Sequence, residues 1–307
     1  MIQESSHVEF SFGLSGAPGA VLSTIHAGDM KREEGAVSNP NRRRLYDRLG
    51  IDPGQVLSLP LGHTRRVVVL ETARREGAGM LRNRLRADLE AQGPADGIIL
   101  RPLTLQPVNA GTHEDDAPPC TLLAVTVADC MPIWLWDTDS GAYGLLHSGW
   151  KGTGILAVAV DAMARQFGAR PSRIAAILGP SIGSCCYEVP DERAAIYEKE
   201  FGSETVLKLA RPDGTLSCRL DLGAANLRLA RRLGLGTVID ARRCTACSSD
   251  LGSFRRQGPA SFTRMLALCG YLPGRADTFT ELSGNDIIDN NTTRGADPGR
   301  VLPQGIA

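Results

Sequence analysis

The residues best placed to do chemistry lie within 127–154, VADCMPIWLWDTDSGAYGLLHSGWKGTG. Cys130 stands at the start of one apolar run of strand length, and His147 stands at the end of another. With His63, which falls at a break between two strand-like runs, they supply one thiolate and two imidazoles. That borderline-soft donor set suits zinc, and copper is the second metal it admits. Three protein ligands leave a fourth position open for water or substrate, which is the catalytic arrangement. No short metal signature joins the three residues. Spacing by itself favours a buried free cysteine beside two unrelated histidines.

A second group follows directly. His147-Ser-Gly-Trp-Lys-Gly-Thr-Gly154 combines glycines that permit close backbone approach, the cation of Lys151 and the start of a helix. These are the parts of an anion site and equally of a tight strand–helix turn. The residue order is not that of a phosphate-binding P-loop. Cys244-x-x-Cys247 is half of a zinc-knuckle signature with no second half nearby, and the vicinal pair Cys185-Cys186 reads as structural. His113, beside Glu114, Asp115 and Asp116, reads as part of a charged loop.

The elements that must position these groups follow from apolar pattern and punctuation. Runs at 122–127, 131–136 and 142–147 are of strand length, and the cluster Asp137-Thr-Asp-Ser-Gly141 makes a hairpin turn between the last two. The hairpin brings the thiol and the imidazole to the same end. Further strands are expected in 8–28, 55–70, 173–179 and 237–240. Helices are expected over 39–50, 81–89, 155–167 with Thr153 as its cap, 191–201, 221–233 capped by Asp221, and 260–268. Residues 98–119 form a long irregular connection, and the stretch from 283 onward is rich in Asn, Asp, Gly and Pro.

Composition sets the outer bounds. The chain has 307 residues, enough for a sizeable core. Lysine plus arginine equals aspartate plus glutamate at 34 each, so no net charge recruits nucleic acid or an anionic membrane. No apolar stretch reaches the length of a membrane span, and the first residues lack the pattern of a signal peptide. A cytoplasmic location is therefore expected. Eight cysteines are too few for a disulfide scaffold at this length.

Three blocks carry a resemblance. ADCMPIWLWD, LLHSGWKGTG and ILGPSIGSCCYEV resemble the signature blocks of the laccase-domain, or YfiH-type, family. That family has been described both as polyphenol oxidoreductase and as purine nucleoside phosphorylase. NRRRLYDRLG, DLGAANLRL and the CT that precedes SFRR extend the similarity over roughly residues 8 to 272. The resemblance implies an α+β fold: one compact domain over 1–282 with two sheets packed between helical layers. It leaves a loop insertion at about 101–119 and a flexible tail at 283–307. It also implies that His63, Cys130 and His147 are both catalytic residues and ligands of zinc, with copper as the alternative. Lys151, Arg255 and Arg256 become candidate substrate contacts. The implied activity is phosphorolysis of adenosine, inosine and methylthioadenosine, with adenosine deamination as a second reaction. The partners would be a purine nucleoside and phosphate, with no nucleic acid and no membrane.

The chain departs from the family pattern at Leu61-Gly-His63-Thr64, where Gln-Val-His-Gly is usual, and at Ser11-Phe-Gly-Leu-Ser, which lacks the usual arginine. Three rival activities follow from the same residues. They are a copper oxidase of phenols, a hydrolase of cell-wall precursors with Cys130 as nucleophile, and a non-catalytic binder of metal or nucleoside.

Overall fold

In chain order the elements begin with β1 (His7–Phe10), β2 (Gly19–Ser23), α1 (Pro40–Leu49), β3 (Val56–Ser58), β4 (Val67–Glu71), α2 (Ala78–Gln92) and β5 (Gly97–Arg101). The central stretch supplies β6 (Leu122–Val127), β7 (Met131–Asp137), β8 (Tyr143–Ser148), α3 (Ile155–Phe167), β9 (Ile174–Leu178), β10 (Glu188–Val189) and α4 (Asp191–Phe201). The remainder is β11 (Val206–Ala210), β12 (Leu216–Leu220), α5 (Leu222–Leu233), β13 (Thr237–Asp240), α6 (Phe254–Gln257), β14 (Met265–Gly270) and β15 (Ile287–Asp289). This computed structural model describes residues 5–32, 39–72, 78–102, 121–273 and 287–289. His113, nearly all of the expected insertion and most of the expected tail lie outside those residues. Three residues of the tail stretch form β15, which pairs antiparallel with β13.

The three apolar runs at the centre become strands of two different sheets. β6 belongs to a five-stranded sheet of order β1-β2-β14-β6-β3, and β7 and β8 belong to a seven-stranded sheet of order β15-β13-β9-β7-β8-β5-β4. The short link between β6 and β7 holds Asp129 at φ 82°, a left-handed conformation that Asp tolerates better than most residues. Cys130 thus lies where the chain crosses from one sheet to the other.

The two sheets pack face to face. Leu22, Leu123, Val125 and Ala267 of one meet Trp134, Tyr143, Leu145 and Ile177 of the other in one buried cluster. The Trp134 indole N–H donates to the Leu268 carbonyl at 2.7 Å, tying the layers together through a buried polar contact. α1 covers the outer face of the five-stranded sheet through Leu45 and Tyr46. α3, α4 and α5 cover the outer face of the larger sheet through residues such as Ile155, Met163, Tyr197 and Leu229. The result is an α/β/β/α arrangement of α+β class, as the sequence implies. A third sheet, β10-β12-β11, is an addition to that expectation.

Two local expectations are corrected. Residues 260–268 do not form a helix: 265–270 are strand β14, buried throughout between β2 and β6. Thr153 is not the cap of α3, whose N-cap is Gly154 at φ 104°. The Thr153 hydroxyl instead donates to the Gly149 carbonyl at 2.8 Å and accepts from the Tyr197 hydroxyl at 3.1 Å.

Candidate active site

His147, one residue before the end of β8, stands directly opposite Pro132 of β7, so the hairpin register brings it beside Cys130. The imidazole is 3 % exposed and lies beside the Cys130 sulfur. Its other side meets Asp96, with Nδ1 donating to Oδ1 at 2.9 Å. Nε2 is therefore the nitrogen left to face the sulfur and the cleft. Burial alone would pull the imidazole below its ordinary value, but the Cys130 sulfur and the Asp96 carboxylate outweigh it and raise it to about 10.

Asp96 is fully buried and is the organiser that the sequence did not reveal. Its carboxylate accepts from the His63 N–H at 2.9 Å, the Thr64 N–H at 2.7 Å and the Thr64 hydroxyl at 2.9 Å, besides His147. Burial would raise its value, yet these hydrogen bonds, led by that from His147, hold it below the usual carboxylate range. One side chain thus fixes both the loop that carries His63 and the orientation of His147. His63 itself adopts φ 53° in that loop. Its ring stands edge-on to the His147 ring with centroids 5.1 Å apart. Burial lowers its pKa, and the neighbouring His147 lowers it further.

His63, Cys130 and His147 line a single cavity of about 770 Å³. The pocket is of the size that small-molecule sites occupy. The donor set is of the kind zinc takes, and a carboxylate behind one imidazole is the usual way a ligating histidine is oriented. Gly149 keeps the sulfur accessible: a Cβ there would stand 2.7 Å from Cys130 Sγ.

The cationic residues divide. Lys151 lines the cavity beside Trp150, and Arg193, which the sequence reading did not single out, stacks its guanidinium 4.5 Å from the Trp150 ring. In the 149–154 turn the Thr153 N–H is engaged with the Gly149 carbonyl, and the Ile155 N–H that follows is engaged with Gly152. Arg255 lines the cavity while donating to the Cys186 and Glu188 carbonyls at 3.1 and 3.0 Å. Arg256 does not line it. Its guanidinium is spent on the carbonyls of Thr245, Ala246, Ser248 and Leu251, so it clamps a loop and the expected substrate contact gives way to that role.

Asp129 braces the other wall, accepting from the Thr245 hydroxyl at 2.6 Å and the Arg255 N–H at 2.7 Å. Phe254 and Phe262 meet edge-to-face at 5.0 Å and both line the cavity. The cysteines read separately from sequence converge: Cys185, Cys186, Cys244 and Cys247 place their sulfurs within 4.8 Å of one another and could hold a metal ion. No helix among the described residues is long and apolar enough to cross a membrane.

The sequence pattern of the family described as multi-copper polyphenol oxidoreductase laccase matches residues 13–271. A purine nucleoside phosphorylase of Corynebacterium glutamicum is 31% identical over 248 residues, 80% of this chain and 86% of that protein. A protein named adenosine deaminase RL5, from an unknown prokaryotic organism, is 35% identical over 45% of this chain and 53% of its own length. The crystal structure of YlmD from Geobacillus stearothermophilus superposes with a TM-score of 0.61 at 25% identity, covering 84% of this chain and 93% of that one.

Proposed function

The chain belongs to the multi-copper polyphenol oxidoreductase laccase family, and on that footing we propose that it is a zinc-dependent purine nucleoside phosphorylase with adenosine deamination as a second activity. The observation that carries the reading is the single cavity of about 770 Å³ that His63, Cys130, His147, Lys151 and Arg193 line together. The phosphorylase and deaminase names of the relatives agree with it. A zinc ion held by His63, Cys130 and His147 would supply Lewis-acid charge and an acidified water at its open position.

The rest is the work of the chain's own side chains. Phosphorolysis breaks the bond between C1′ of the ribose and the purine nitrogen and forms one from C1′ to a phosphate oxygen. Lys151 and Arg193 hold the anion so that its oxygen is delivered to C1′ rather than met by chance. The aromatic pair Phe254 and Phe262 offers apolar surface to the departing purine. Asp96 keeps the proton on Nδ1 of His147, so Nε2 always points toward Cys130 and the cleft.

Lys151→Met separates the two reactions. A charge-assisted hydrogen bond contributes about 1.5–3 kcal/mol, or roughly ten- to a hundred-fold in affinity. The substitution should raise the phosphate requirement of base release by that factor and leave ammonia release from adenosine nearly unchanged. Equal losses in both reactions would remove Lys151 from the phosphate site.

A further inference from the structure

We propose that Cys185, Cys186, Cys244 and Cys247 hold one zinc ion as a tetrathiolate, a structural centre separate from the cleft. The two halves are far apart in sequence and adjacent in space. The turn after β9 carries the vicinal pair, the loop after β13 carries the CxxC, and a parallel bridge joins Ser181 to Cys244. The sulfur of Cys247 lies 3.6 Å from that of Cys185 and 3.4 Å from that of Cys186, and all four ligand atoms fall within 4.8 Å. A tetrahedron with zinc–sulfur bonds of about 2.3 Å has edges of about 3.8 Å, so the thiols already stand near the corners such an ion needs. A disulfide needs two sulfurs at about 2.05 Å and gives no reason for four to converge.

The surroundings are built for thiolates. The Gly183 N–H donates to Cys244 Sγ at 3.3 Å. A side chain at Gly183 would crowd the cluster, since a Cβ would lie 3.3 Å from both Cys185 Sγ and Cys244 Cβ. Arg219 and Arg255 donate to the carbonyls of Cys185 and Cys186, placing positive charge beside a centre whose net charge would be negative. Four sulfurs close the coordination sphere and leave no position for substrate, which makes the site structural. Cys185 and Cys247 are exposed, which gives the ion a path in.

The centre would act on the cleft through the backbone it staples. The Cys186 carbonyl is a partner of Arg255, Thr245 next to Cys244 holds Asp129, and Ile182 donates to the Asp129 carbonyl at 2.9 Å. The two cysteine-bearing loops therefore set the wall opposite the His147 turn.

The test uses the full chain carrying Cys130→Ala, because the cleft's donor set has then lost its sulfur. Elemental analysis should find about one zinc per chain that survives dialysis against a weak chelator and leaves on titration with an organomercurial. Cobalt(II) exchanged into the same protein should give the intense visible bands of a tetrahedral tetrathiolate. Adding Cys247→Ser should abolish both signals. If that variant does not fold, the zinc count and the cobalt spectrum of the Cys130→Ala protein decide alone. Absence of metal would overturn the proposal, whether the four thiols titrate freely or the intact mass reveals a disulfide between the loops. Stoichiometric iron with a rubredoxin-like spectrum would overturn the assignment to zinc.

Discussion

Asp96 and Gly149 decide whether the three chemical residues work as a set. Asp96 accepts four hydrogen bonds through two oxygens. An amide in its place offers one accepting oxygen and turns an N–H₂ toward donors. Asp96→Asn should therefore weaken metal binding in the cleft by about 10–100-fold, the range for a disturbed partner of a ligating histidine. Metal titration of the variant under the Cys130-dependent signal measures it. Gly149→Ala would put a methyl group 2.7 Å from Cys130 Sγ, and the sulfur is the partner free to turn away. Turnover should collapse while thermal stability falls only toward the low end of the about 1–3 kcal/mol typical of overpacking. Retained activity would show that the reaction does not need the sulfur where it stands.

At this scale the sequence showed the chemical groups and concealed their supports. Cys130 and His147 are visible at the edges of apolar runs, and the family resemblance joins them into a set. Asp96 sits in Gly-Pro-Ala-Asp-Gly, where an aspartate is what any turn would carry, and its partner lies 51 residues away. The other half of the CxxC was invisible for the same reason, since 61 residues separate Cys186 from Cys247.

Among the elements, the misread helix at 260–268 shows where local pattern runs out. Met265-Leu-Ala-Leu-Cys-Gly270 is made largely of good helix formers, and a short apolar run does not distinguish a helix from a strand buried on both faces. Pairing with β2 on one side and β6 on the other decided it. α3 was legible in its span and not in its start, because Thr153 is recruited by Gly149 and Tyr197 rather than by the helix. The contact between β7 and β14 offers a test of the layer joint. Trp134→Phe keeps the buried ring and removes the donor to the Leu268 carbonyl. A buried polar group left without its partner costs about 1–3 kcal/mol, and each kcal/mol lowers the melting temperature by roughly 2–4 °C in a domain of this order. An unchanged melting temperature would mean that the carbonyl finds another donor.

On the scale of the whole molecule, two face-to-face sheets place the crossing at Asp129–Cys130, the end of β8 and the His63 loop around one cavity. The layered α+β architecture was legible through the family resemblance, and the apolar runs and capped helices agreed with it only as a mixture of strands and helices. The third sheet was not, since β10 is two residues long and β11 is largely exposed. The family says what kind of site this cavity resembles, and its polar groups say what it should take. The most direct test is to incubate the purified, zinc-loaded chain with inosine and with adenosine, with and without phosphate. Base release is followed by chromatography and the sugar product by phosphorus NMR. The account predicts free base and ribose 1-phosphate in equal amounts, only when phosphate is present, and none from the Cys130→Ala chain. Release of base without phosphate, or no release from any nucleoside by a metal-loaded chain, would contradict it.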